Sequence, residues 1–146
     1  SITGDGVRET LRILGETIPG LGVHEIPSGT KVFDWVVPKE WKIRDAYIID
    51  PAGRKICDFK SNNLHVVGYS TPVKAKMSLG ELQVLLNALP DQPTAIPYVT
   101  SYYKERWGFC IAQSERDALV DGEYEVFAWA EPESLVVAVR DLVGRT

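Results

Sequence analysis

Val7, Leu11, Leu14 and Ile18 recur at helical spacing while Arg8, Glu9, Arg12 and Glu16 fall mostly elsewhere. This predicts an amphipathic helix from an Asp5 cap through Ile18, stopped by Pro19, Gly20 and Gly22. Val23 to Ile26 and Lys31 to Val37 read as two strands joined by a turn at Pro27-Ser28-Gly29-Thr30, with Pro38 closing the second. Alternation along that second strand puts Phe33 and Trp35 on one face and Asp34 on the other. Trp41 is expected in a loop covering a sheet edge. Ala46 to Asp50 and Lys55 to Phe59 flank Pro51-Ala52-Gly53, where proline presets φ and glycine supplies positive φ, so a hairpin is expected. A turn at Asn62-Asn63 leads into a strand from Leu64 to Ser70, which sets His65 on the same face as Val67 and Tyr69.

Ser78 and Glu81 form a capping-box pattern, and Leu79, Leu82, Leu85, Leu86 and Leu89 predict a second helix with a core-facing leucine stripe, stopped by Pro90. Pro90, Pro93 and Pro97 then keep the chain extended. Ser114 is placed to cap a short helix through Val120. Glu123 to Ala130 reads as a strand, broken at Pro132. The tail from Ser134 to Thr146 fits either a strand at Leu135 to Val139 or a helix presenting Leu135, Val139, Leu142 and Val143, and the helix is the expectation taken. The fold class is α+β, dominated by antiparallel strands and hairpins with three or four helices.

Composition narrows the function classes. The 146 residues suffice for a core without disulfide or metal staples. With 45% hydrophobic and 25% charged residues the chain reads as globular. A net charge of −4 with scattered lysines and arginines argues against general nucleic-acid binding. No apolar run approaches the ~20 residues of a membrane span. Cys57 and Cys110 lie far apart in no metal-ligand spacing, which suggests two buried thiols in a reducing cytoplasm, with one disulfide as the lesser alternative. The opening Ser1-Ile2-Thr3 lacks an initiator Met and the features of a secretory leader, so a cytoplasmic segment of something longer is expected.

Pro97 to Cys110 gathers Tyr98, Tyr102, Tyr103, Trp107 and Phe109 into one polar stretch with Lys104, Glu105 and Arg106. Such chemistry suits a recognition surface. The alternative is that Tyr98, Trp107 and Phe109 are core residues with solvated neighbours. Zinc catalysis needs three protein ligands and an open position, yet His24 and His65 are the only histidines and are not in i, i+4 spacing. Cys57 or Cys110 could meet one of them as a nucleophile, or serve simply as a buried thiol. No Gly-x-Ser-x-Gly elbow is present. Gly4-Asp5-Gly6 has no preceding strand and reads as helix entry, not a phosphate loop.

Four blocks occur in a familiar order: Ser1 to Leu11 (SITGDGVRETL), Val23 to Trp35 (VHEIPSGTKVFDW), Asn63 to Ser70 (NLHVVGYS) and Ile96 to Cys110. Together they resemble the bacterial aminopeptidase-like proteins over Ser1 to about Val126, and those proteins resemble zinc-dependent exopeptidases. The resemblance implies part of a zinc-exopeptidase-like α/β domain, residues 1–37 and 123–146, with a β-rich domain, 38–122, inserted beside the active-site cleft. In that family the metal-binding blocks lie beyond the strand that here is Glu123 to Ala130, and from Phe127 onward this chain departs from the family pattern. Zinc is therefore expected in the full-length family, with no catalytic residue, metal ligand or cofactor assigned to this chain. The expected role is to shape the substrate cleft of a zinc-dependent aminopeptidase; the alternative is a non-catalytic binding or interaction module. The expected substrate contacts are Asp34, His65, Tyr102, Arg106 and Trp107. A carboxylate such as Asp34 suits a free terminal amine, and the planar fork of Arg106 suits a carboxylate or backbone carbonyl. The partners implied are a peptide or amide substrate and the rest of the peptidase domain, with neither nucleic acid nor membrane.

Overall fold

The computed structural model describes residues 4–101, 104–133 and 137–139. The chain divides into two compact units, Ser1–Lys42 with Pro132–Thr146, and Ile43–Glu131. Among the described residues no helix is long and apolar enough to cross a membrane.

In the first unit, helix α1 spans Asp5–Thr17. Gly4, not Asp5, is its N-cap and makes no side-chain cap; Asp5 sits in the first turn, where a carboxylate complements the helix dipole. No residue of α1 is buried, but Arg8 anchors it: its guanidinium donates to both carboxylate oxygens of Glu40 at 2.8 Å. Glu40 is only 1% exposed, and this hydrogen bond holds the Arg8 pKa above its usual value. Removing one partner of a buried pair strands the other charge, at a cost of about 3–5 kcal/mol. Because Arg8 stays part-exposed, Arg8→Ala is expected at the lower end, about 3 kcal/mol, read from the urea midpoint; a change under about 1 kcal/mol would contradict it.

Strand β1, His24–Ile26, pairs antiparallel with Val137–Val139 of the tail. The helix expected for the tail is therefore overturned at these residues: two β-branched valines flank Ala138, and an antiparallel partner supplies backbone hydrogen bonds that local periodicity cannot reveal. Leu135, Leu142 and Val143 lie outside the described residues.

The turn expected at Pro27 to Thr30 is present, with the Thr30 amide on the Pro27 carbonyl at 3.2 Å. The strand expected over Lys31 to Val37 instead folds back on itself, as β2 (Lys31–Val32) and β3 (Trp35–Val36) with Val32 opposite Trp35. Phe33 and Asp34 are the two-residue turn, so they do not alternate across a sheet. Phe33 takes φ 52°, the positive φ that tight hairpin turns demand. Backbone bonds from Gly29 to the Val37 carbonyl (2.8 Å) and from Val37 to the Thr30 carbonyl (2.9 Å) close the hairpin.

The second unit is built on a four-stranded sheet in the order β5-β4-β9-β6: β4 is Glu40–Ile49, β5 Lys55–Ile56, β6 Val73–Ser78 and β9 Glu123–Glu133. Trp41 belongs to β4 and not to a loop. The β4–β5 hairpin is the one expected. Asp50 Oδ1 accepts the Ala52 and Arg54 amides at 2.9 and 2.8 Å, and Gly53 supplies φ 80°. In β9, Tyr124, Val126, Ala128 and Ala130 are buried while the residues between them are not. Ala128 faces Val73 at the end of the β6 ladder, so Pro132, four residues further on, costs no bond there and does not break the strand as expected.

The capping box at Ser78 and Glu81 is present, but α2 spans only Leu79–Gln83. The chain then forms β7, Leu86–Asn87, parallel to β8, Phe109–Cys110. The Leu85 carbonyl accepts the Phe109 amide and the Asn87 carbonyl the Ile111 amide, both at 3.0 Å, so these groups are unavailable to continue the helix. Leu82 and Leu86 are core, whereas Leu89 is exposed. Helix α3, Gln113–Asp117, has Ala112 as its N-cap; Ser114 Oγ, expected as the cap, donates to the Pro93 carbonyl at 3.0 Å. The fold is mixed α/β, with antiparallel sheets and few helices.

Candidate functional site

The aromatic stretch is held by a braid of backbone in the second unit. Gly68 donates to the Val99 carbonyl at 2.8 Å, and its own carbonyl accepts the Ser101 amide at 2.9 Å. Val67 donates to the Gly108 carbonyl and Thr71 to the Arg106 carbonyl, both at 3.1 Å. Buried Ser70 Oγ donates to the Val67 carbonyl at 2.6 Å and accepts the Gly108 amide at 3.3 Å. Asn87 Nδ2 donates to the Phe109 carbonyl at 3.0 Å. The strands pass so closely that a Cβ on Gly108 would lie 3.1 Å from the Leu85 carbonyl oxygen and 3.2 Å from Val67 Cγ2. A backbone so fully paired is a stiff base for the side chains it carries.

The stretch splits between the two roles open to it. Phe109, Cys110, Ile111 and Ala112 are core. Tyr98 is 75% exposed, Arg106 is exposed, and Trp107 is half-buried with its ring edge-on to Phe109 at a centroid distance of 6.4 Å. Arg106 reaches back toward the Thr100 carbonyl at 3.5 Å, a weak contact that leaves most of its guanidinium donors to solvent. Tyr102 lies outside the described residues.

His65 is not on a strand with Val67 and Tyr69. It closes a 3-10 turn, Asn63–His65, capped by Asn62 through the Leu64 amide at 3.0 Å. Its Nδ1 lies 2.8 Å from the Cys110 carbonyl. A carbonyl only accepts, so Nδ1 carries a proton, and in the neutral ring Nε2 is then the acceptor. The imidazole lines a cavity of about 240 Å³ together with Cys57, Asp58, Ser61 and Glu115. His65 and Trp107 thus share one support, the segment Phe109–Cys110. Asp34 is exposed on the β2–β3 turn of the other unit.

Neither thiol is poised as a nucleophile. Both are free and buried. Burial, with a smaller contribution from Glu115, pushes the Cys57 thiol up to about 12, and burial pushes Cys110 up to about 11. His65 meets the carbonyl of Cys110, not its sulfur. Among the described residues no three His, Cys, Asp or Glu side chains gather in a way that could hold a metal ion.

The elements expected from the sequence do not include β6 or the sheet face it helps build. Its signal was the period-two alternation of Val73, Ala75 and Met77 with Lys74, Lys76 and Ser78.

Residues 40–131 match the family described as Domain of unknown function (DUF2172). The chain belongs to the DUF2172 family. The match runs from Glu40, three residues before the second unit begins, to that unit's last residue. The DUF2172 chain is also 56% identical over 126 residues to a Clostridium acetobutylicum protein named "Putative polysaccharide biosynthesis protein with aminopeptidase-like domain", covering 86% of this chain and 29% of that protein. A crystal structure titled as a putative peptidase from the same organism superposes with a TM-score of 0.88 at 51% identity, over 94% of this chain and 32% of the other. The chain therefore spans about a third of the length of these relatives. The resemblance carried by the four sequence blocks holds as far as the relatives' names go: aminopeptidase-like and peptidase.

Proposed function

We propose that this DUF2172 chain is the substrate-facing portion of an aminopeptidase-like hydrolase, acting on a peptide or amide and contributing binding rather than bond cleavage. The observation that carries this reading is the braid: it fixes the backbone of Arg106 and Trp107 while leaving the guanidinium turned to solvent. A relative named for an aminopeptidase-like domain supports the reaction class. That relative's name also mentions polysaccharide biosynthesis, which makes an amide carried on a saccharide precursor one member of the substrate class.

The zinc of such exopeptidases does not fit the donor set described here, so no hydrolytic step is assigned to this chain. Its residues bind and orient. Arg106 offers a planar fork to a carboxylate or carbonyl, Trp107 an apolar face, and His65 Nε2 an acceptor. Tyr102 is a further proposed contact from the same aromatic stretch, and Asp34, in the first unit, is proposed separately as a carboxylate suited to a terminal ammonium. Two free thiols suit a reducing, cytoplasmic setting.

The test is Arg106→Ala in a protein of the relatives' full length, assayed against a panel of aminoacyl-nitroanilides and amides. A charged hydrogen bond contributes roughly 1.5–3 kcal/mol, so KM should rise about tenfold or more with kcat little changed. An unchanged KM would remove Arg106 from the binding surface.

A further inference from the structure

One face of the four-stranded sheet is core, and the other is open and aromatic. Tyr47 on β4 and Phe127 on β9 lie with ring centroids 5.2 Å apart, tilted by 31°. Trp129, the next residue on the same face of β9, is 51% exposed. The Tyr47 and Phe127 rings floor a groove of about 460 Å³, and Trp129 continues the aromatic face beside it; the volume is within the roughly 300–1,000 Å³ of small-molecule sites. Lysines and a carboxylate stand around it. Lys55 Nζ sits 4.2 Å above the Tyr47 ring, Lys74 lies opposite Phe127 in the β6–β9 register, and Lys76 pairs with Glu125 at 2.8 Å.

We propose that this face is a binding site for a saccharide carrying an anionic substituent. Strand-like peptides dock on sheet edges, where backbone groups are free; the face of a sheet offers only side chains, so its occupant must be recognised by rings and by polar tips. A sugar ring presents an apolar C–H face to an aromatic floor and a rim of hydroxyls, each able both to donate and to accept. That rim matches a mixed border in which Glu125 accepts and Lys76 donates. A polyphosphate brings acceptors alone and leaves Glu125, which lines the groove, without a donor, and an acidic peptide sets a carboxylate at every residue where a sugar with one anionic substituent keeps hydroxyl donors for Glu125. Lys74 lines the same groove and has no carboxylate partner among the described residues. Its ammonium is the group left to take a carboxylate, sulfate or phosphate on the sugar. The site is separate from the braid, so its fate does not depend on the hydrolase reading.

The experiment uses the full 146-residue chain on an array of uronate-, sulfate- and phosphate-bearing oligosaccharides, each beside its neutral counterpart. The best ligand is then titrated by tryptophan fluorescence. Retention of an anionic glycan above its neutral counterpart is expected, with at least fivefold weaker binding in Lys74→Ala and at least tenfold weaker binding in Trp129→Ala. Both variants should keep the wild-type circular dichroism, since both side chains face solvent. The proposal is overturned if no anionic glycan is retained above its neutral form, if pyrophosphate or hexaglutamate displaces the glycan with equal affinity, or if both variants bind as the wild type does. The readout is binding without cleavage, so a hydrolase that fails its own assay leaves this result standing, and the reverse.

Discussion

Replacing Tyr124 with alanine is expected to destabilise the second unit by about 3–5 kcal/mol, the range for deleting a fully buried large aromatic. Tyr124 is 0% exposed. It lies on β9, opposite Met77 of β6, with β4 on the strand's other side. Its hydroxyl donates to the Val120 carbonyl at 2.7 Å, tying the strand to the turn that precedes it. Alanine removes the ring and that bond together. Tyr124→Phe separates the two, since it keeps the volume and should cost only about 1 kcal/mol. Urea denaturation of both variants reads the difference. Equal losses would mean that the hydroxyl, not the ring, dominates, contrary to the packing argument.

A second large effect is expected from alkali. Unfolded thiols ionise near 9.0, whereas burial pushes the folded Cys57 up to about 12 and Cys110 up to about 11. Between these values the folded chain holds protons that the unfolded chain has lost. The stability they support is fully present below about pH 9 and falls as pH rises, by about 1.4 kcal/mol per pH unit for each thiol. By pH 11 the two together would remove about 5 kcal/mol, a large share of a domain's usual 5–15 kcal/mol. The Tyr124 phenol, also raised by burial, acts in the same direction. Urea midpoints measured from pH 8 to 11 should fall steeply in the wild type and far less in the Cys57→Ala/Cys110→Ala double variant. A wild-type profile as flat as that of the double variant would refute the argument.

What the sequence made legible was local. The Pro51-Ala52-Gly53 hairpin, the Ser78–Glu81 capping box and the alternating β9 are each encoded within a few residues, and each is found. What it hid was pairing across distance. The second helix ends early because Leu85 and Asn87 give their carbonyls to a segment more than twenty residues away. The tail forms a strand because β1 is there to receive it. Val32 and Trp35 form a hairpin because the chain reverses at a non-glycine residue, Phe33, which turn rules built on glycine do not flag. At the candidate site, the aromatic stretch was visible as composition. Its division into buried Phe109 and exposed Tyr98 was not, because that follows from the Gly68, Ser70 and Gly108 crossings. The tautomer of His65 depends on a carbonyl 45 residues away, beyond any spacing rule.

Strand β6 ends the four-stranded sheet, so among the described residues of the second unit the outer backbone of Val73–Ser78 is an open edge. Open edges invite a second copy to pair, which is the first step toward aggregation. Here two copies meeting edge to edge would press Lys74 and Lys76 of one against those of the other, and like charges brought opposite one another oppose the ladder. The ammonium groups at the rim of the groove therefore act as gatekeepers too, and any variant that neutralises both gives up protection against self-assembly along with its hold on a ligand.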